Sequence, residues 1–235
     1  MRIVVLGLML AMGTGSANAQ QVDPYPLPPK EWPAPVMDNE PITFLLLDRF
    51  EYRAKSGEDA WAWGGQGWWG SYTNKLWLKT EGEGMLRGPA ERAEVQALYA
   101  RRISTYWHVQ AGVRHEARPE PSRNTGVIAI EGLAPYWFEV NASAFVGNGL
   151  SGRLEAEYDQ LLTQRWILQP RAELNFSGSA DEERGVRSGL NEVELALRLR
   201  YELRREFAPY VGIGWTHRPG EGSDTALVLG VRVWY

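Results

Sequence analysis

The chain has 235 residues, of which 25 are Lys or Arg and 29 are Asp or Glu, for a formal net charge of −4. That balance offers no basic stripe for nucleic acid, and the lack of any cysteine excludes disulfides, thiolate metal sites and thiol catalysis. Eleven Trp, ten Tyr and six Phe sit beside a mean hydropathy of −0.37, as expected of strands whose apolar and polar faces alternate and cancel in an average.

Residues 1–19 read as a secretory signal. Arg2 precedes an apolar run from Ile3 to Met12, and Ala17-Asn18-Ala19 supplies a small-residue cleavage site. The run is too short and too glycine-rich to span a bilayer as a helix, so the mature chain is expected to begin near Gln20. Residues 20–41 form a proline-rich arm, because seven of the fourteen prolines fall between Asp23 and Pro41. Such a segment is neither helix nor central strand. The arm reads as a periplasmic spacer, with a docking or metal-collecting role as the alternative.

From Ile42 onward the chain reads as strands punctuated by Gly, Pro and charged clusters. Twelve are expected, over 42–53, 59–69, 73–83, 91–102, 105–117, 125–133, 136–146, 150–161, 165–177, 189–203, 207–218 and 225–235, with ten as the alternative count. The second is the weakest, because it contains Gly64, Gly65 and Gly67. In the tenth, Val193, Leu195, Leu197, Leu199 and Tyr201 take one face, while Glu192, Glu194, Arg198 and Arg200 take the other. The last strand places Leu227, Leu229, Val231, Val233 and Tyr235 on one side, in the manner of the terminal recognition strand of bacterial outer-membrane barrels.

A soluble sheet can show the same alternation, and two further patterns decide between them. Connections at 102–105, 133–136 and 162–165 are tight, whereas 118–124 and 177–188 are longer and charged, as expected of short turns at one rim and loops at the other. Aromatic residues follow the tight turns: Tyr106-Trp107, Tyr136-Trp137, Trp166, Tyr210, and Tyr72 with Trp77 nearby. All of them fall at the end that carries Trp234 and Tyr235, which predicts an interfacial girdle. The fold class is therefore all-β, a closed antiparallel up-and-down transmembrane β-barrel over 42–235, with lipid as its surroundings. An even strand number returns the C-terminus to the periplasm and leaves no free sheet edge.

Parity turns charges of both signs inward, among them Lys79, Glu81, Glu94, His108, Arg114, Arg153, Arg171, Glu173, Glu194 and Arg198. They read first as a salt-bridged filling and second as a polar path whose carboxylates attract cations. Parity does not choose between an open and a plugged lumen. The three histidines, His108, His115 and His217, form no dense metal motif. His108 is expected inward and the other two outward near the loop rim. No nucleophile motif accompanies His108, so a lipid-modifying enzyme is the least favoured reading.

The stretch Pro35-Val-Met-Asp-Asn-Glu-Pro-Ile-Thr-Phe-Leu-Leu-Leu-Asp-Arg-Phe-Glu-Tyr52, then Gly67-Trp-Trp-Gly70 and Asn74-Lys-Leu-Trp-Leu-Lys-Thr-Glu-Gly82, resembles the copper-resistance protein B family. The likeness continues through Trp107-His-Val-Gln-Ala-Gly-Val-Arg114 and Pro209-Tyr-Val-Gly-Ile-Gly-Trp215. It implies an outer-membrane barrel acting in copper tolerance, with copper ions as ligand and a periplasmic multicopper oxidase as possible partner of a monomeric barrel. Family members carry Met- and His-rich repeats suited to copper, whereas this arm holds Met37 alone and no His. The resemblance singles out Met37, Asp38, Asp48 and Glu51 as metal candidates. Glu81, Glu94 and His108 join them as inward residues. Asp48 is in register with Phe44, Leu46 and Phe50, which a bulge, a rim position or a site would explain.

Overall fold

The computed structural model describes residues 40–147, 149–181 and 184–235. The signal, the arm up to residue 39, and with them Met37 and Asp38 lie outside the described residues. The strands are β1 (Ile42–Lys55), β2 (Ala60–Gly70), β3 (Asn74–Met85), β4 (Ala90–Arg102), β5 (Trp107–Arg118), β6 (Arg123–Ala134), β7 (Phe138–Gly147), β8 (Gly149–Glu157), β9 (Gln160–Leu161), β10 (Trp166–Ser177), β11 (Gly189–Tyr201), β12 (Phe207–Arg218) and β13 (Gly222–Trp234). Each pairs antiparallel with its neighbour. β8 and β9 both pair with β10 and together fill one place in the wall, interrupted at Tyr158 and Asp159. The wall therefore has twelve places. It closes where β13 meets β1, with Leu46 opposite Trp234 and Lys55 opposite Ala226. Leu45 and Tyr235 exchange both backbone hydrogen bonds at 2.8 Å, so the seam is sealed to the last residue. Closure leaves no free sheet edge, the condition a wall in hydrocarbon must meet.

All twelve expected strands are present, including the glycine-rich second one. Gly64 faces inward, and a Cβ there would lie 2.9 Å from Nε of Arg49. The glycine lets that guanidinium lie flat against the wall, so it serves packing rather than weakening the strand.

The outer surface is apolar along its middle, with Leu78, Val113, Ile128, Leu197, Ile213 and Leu227 all exposed. At the end where β1 begins and β13 finishes, called here the terminal end, Trp69, Tyr72, Tyr106, Tyr136, Trp137 and Trp166 are exposed and form the expected girdle. Two of the expected members depart from it. Trp77 and Tyr210 are buried and face the lumen, because each stands on the inward parity of its strand, beside Lys79 on β3 and Ala208 on β12. A second, smaller girdle at the loop end was not foreseen. There Trp61 and Trp63 stack at 5.1 Å, next to Tyr52.

The turn after β6 also differs from expectation. Tyr136 and Trp137 take φ values of 66° and 68° in a short 3-10 turn, so β7 starts only at Phe138. The long connection expected at 118–124 shrinks to residues 119–122, because β5 and β6 run on to Arg118 and Arg123. Among the described residues, the longest connection runs between Ser177 and Gly189.

Asp48 resolves as a bulge. Leu47 pairs with Gly65 and Arg49 with Gly64, leaving Asp48 without a partner on β2. The extra residue switches the inward face of β1. Phe44 and Leu46 face inward before it, and Arg49, Glu51 and Arg53 face inward after it. Asp48 points inward as well and accepts a hydrogen bond from Nε of Arg232 at 2.9 Å.

Candidate functional site

The lumen is built from the inward positions of these strands, and charge organises it into three levels. At mid-height a belt of ion pairs runs from wall to wall. Glu51 accepts hydrogen bonds from Nε of Arg53 at 2.9 Å, Nε of Arg198 at 2.8 Å and the hydroxyl of Tyr210 at 3.1 Å. Glu194 lies 3.0 Å from Arg53 and 3.5 Å from Arg171. Arg171 also binds Glu173, which stands 3.4 Å from Arg153. Arg153 joins Glu81 and Glu94, and Glu94 in turn binds Arg114. Nearly every member is buried, so each charge relies on its partners in place of water.

On either side of the belt the lumen opens into a chamber. The terminal-end chamber, about 390 Å³, is lined by Asp48, Glu81, Glu94, Glu131, Glu139, Glu155 and Glu157 against only Arg49, Lys79 and Arg153. The loop-end chamber, about 460 Å³, is lined by six carboxylates and six arginines. Seven acids against three bases, compared with six against six, gives the first chamber the more acidic lining, although Arg232 and Arg171 reach in from beyond it to pair with Asp48 and Glu155. Within the first, Glu139 and Glu157 stand opposite each other across β7 and β8. Neither forms an ion pair with any described residue. Glu131 is held by Lys79, Gln110 and Asn141.

His108 faces inward, as expected, and borders this chamber. Its ring meets Trp77 edge-on at 6.2 Å. Its Nε2 is buried and has no hydrogen-bond partner among the described residues. His115 and His217 sit at the loop end, where they bond Asn124 at 2.7 Å and Ser223 at 2.8 Å.

Of the metal candidates, Asp48, Glu81, Glu94 and His108 all border the terminal-end chamber. Glu81 and Glu94 are register partners on β3 and β4. Glu51 stands apart from that chamber, in the belt. The four carboxylates are all engaged by arginine, whereas His108 is not engaged by any acid. Among the described residues no group of three or more His, Asp or Glu is arranged to hold a metal ion. Met85, at the loop end of β3, is the only methionine there. Beside the chamber the donors are therefore one imidazole and carboxylates, with no thioether among them.

Sequence parity missed several residues of the belt. Arg92 stands two places before Glu94 on β4, so parity does signal it. Arg49 and Arg53 lie beside Asp48 and Glu51 in the sequence and read there as their counter-ions, and Arg53 does bind Glu51 at 2.9 Å. Arg184, which binds Glu116 at 2.8 Å from the long loop, has no periodic signal at all.

A family model described as Copper resistance protein B precursor matches residues 42–235, the whole wall. The chain belongs to the copper resistance protein B family. Copper resistance protein B of Escherichia coli is 41% identical over 204 residues, covering 81% of this chain and 69% of the relative. The Copper resistance protein B homolog of Pseudomonas syringae pv. tomato is 39% identical over 213 residues, covering 85% and 72%. Among solved structures, the NanC porin overlays with a TM-score of 0.57 at 14% identity, covering 80% of this chain and 98% of the porin. The KdgM porin gives 0.51 at 12%, covering 82% and 98%. At such identities the porins speak to fold alone, and the fold is that of an outer-membrane barrel. Membership of the family carries a role in copper resistance, and the barrel places that role at the outer membrane.

Proposed function

We propose that this copper resistance protein binds copper ions in its terminal-end chamber and withdraws them at the outer membrane, with that end facing the periplasm. The two carboxylates of that chamber with no ion pair among the described residues, Glu139 and Glu157, carry the reading. A cation entering from that side is drawn in by the unpaired Glu139 and Glu157, and the free Nε2 of His108 offers it an imidazole donor. Asp48, Glu51, Glu81 and Glu94 act mainly as counter-ions that fix the arginines and so shape the chamber. Weak ligation of this kind favours exchange over permanent storage.

Copper titration of the folded protein, read by the nitrogen hyperfine pattern of Cu(II), tests this. The expected result is a single-imidazole signature that His108→Ala abolishes. Glu139→Gln with Glu157→Gln should weaken uptake about tenfold, which is about 1.4 kcal/mol of lost attraction for the two together. An unchanged spectrum and affinity in His108→Ala would remove the chamber from copper handling.

A second reading is a plugged barrel that docks a periplasmic multicopper oxidase through the arm, and the ion pairs that cross the lumen favour it over an open pore. Capture of the purified oxidase by the full-length protein, lost on deletion of residues 20–41 with copper uptake intact, would support this second reading in place of the first.

A further inference from the structure

Two guanidinium groups make the longest crossings of the lumen. Arg92 projects from β4 toward β11, six places away around the twelve-place wall. It stands 2.9 Å from Glu81, 3.7 Å from Glu94, 3.9 Å from Glu173 and 3.7 Å from Glu192. Arg153 projects from β8 toward β3, five places away, where it binds Glu81, and it keeps Glu94 at 3.1 Å and Glu173 at 3.4 Å. Other strand-to-strand ion pairs of the belt join closer neighbours, such as Arg114 with Glu94 on the adjacent strand. The four carboxylates thus form a cage around two arginines, between the two chambers. Arg153 borders the terminal-end chamber and Arg92 the loop-end one.

We propose that Arg92 and Arg153 are the barrier that closes this barrel, and that the cage of Glu81, Glu94, Glu173 and Glu192 is its charge-selecting constriction. The arginines act as tethered counter-cations. A free cation must compete with a guanidinium that the wall holds permanently at high local concentration. A free anion is repelled by the four carboxylates gathered around the guanidiniums. Neither sign passes while both arginines span the lumen within the cage. Removing them opens the passage and takes away two positive charges, so that it favours cations even though Arg49, Arg114, Arg171 and Arg218 still hold one carboxylate each at the wall. This concerns passage through the lumen and holds whether or not the terminal-end chamber binds copper.

Planar-bilayer recording of the folded protein in a KCl gradient tests the proposal. Wild type should conduct at least tenfold less than the Arg92→Ala/Arg153→Ala variant, whose reversal potential should move toward that of K⁺. The complementary Glu173→Gln/Glu192→Gln variant removes the far-wall carboxylates that stretch Arg92 across the lumen. Arg92 then falls back toward Glu81 on its own side, and the variant should also conduct, with its reversal potential displaced toward Cl⁻. Arg101→Ala, on the outer face of the same strand, should behave as wild type. Heat-modifiable gel migration confirms folding of each protein, and if the arginine variant does not fold, the glutamine variant decides. Wild type conducting as freely as the variants would overturn the proposal. So would folded variants that stay silent, or that share one ion preference.

Discussion

Glu51→Ala lowers the stability of the barrel by about 3–5 kcal/mol, the cost typical of stranding the partners of a buried ion pair. The Glu51 side chain is fully buried and is the common acceptor for Arg53, Arg198 and Tyr210. Arg198 is only 2% exposed, and Glu51 is its one ionic partner among the described residues. Alanine would leave that guanidinium without water and without an anion. The loss comes from the orphaned cation more than from the pair itself, so Glu51→Leu combined with Arg198→Met should recover most of it. Unfolding in urea from lipid vesicles, followed by tryptophan fluorescence, gives both numbers. A single substitution costing less than about 1 kcal/mol would show that the lumen rehydrates freely at this level.

The lipid face provides the second large effect. Ile128 is exposed near the middle of β6, on the apolar band. Ile128→Arg should cost about 2–4 kcal/mol at the bilayer midplane. The same change at Leu162, in the turn beyond β9, should cost about 1 kcal/mol or less, because the side chain there reaches the interface. Measuring the two substitutions in vesicles of the same lipid separates depth from chemistry. Equal penalties would mean that Ile128 does not face the hydrocarbon core.

Most of the wall was legible in the sequence, because the two-residue period is a local property that each strand repeats for itself. Leu227 and Leu229 point outward and Glu192 and Glu194 inward, as their spacing requires. Failures occurred where geometry departs from the period. Parity marked Asp48 as anomalous, but it could not say that the backbone gains a residue there and hands the inward face to Arg49. Trp77 and Tyr210 were assigned to the girdle by position along the strand, although their parity turned them inward. Hardest to read were the partners. Periodicity gives the face of Arg92 and Arg153, but only closure of the wall determines that Glu192 and Glu81 stand opposite them. For the site, His108 and the chamber carboxylates were visible as inward residues. Pairing of these carboxylates with arginine was legible too, but which arginines claim them, Arg232 for Asp48 and Arg53 with Arg198 for Glu51, emerges only in three dimensions.

The unequal linings of the two chambers make the cylinder electrically lopsided along its axis. On the proposed reading, positive ions arriving at the terminal mouth meet a more acidic lining than at the far mouth, and the barrier proposed at Arg92 and Arg153 prevents them from draining through. Such an arrangement behaves as a cul-de-sac, filling and emptying through one opening, so its capacity is set by the concentration of ions on that side alone.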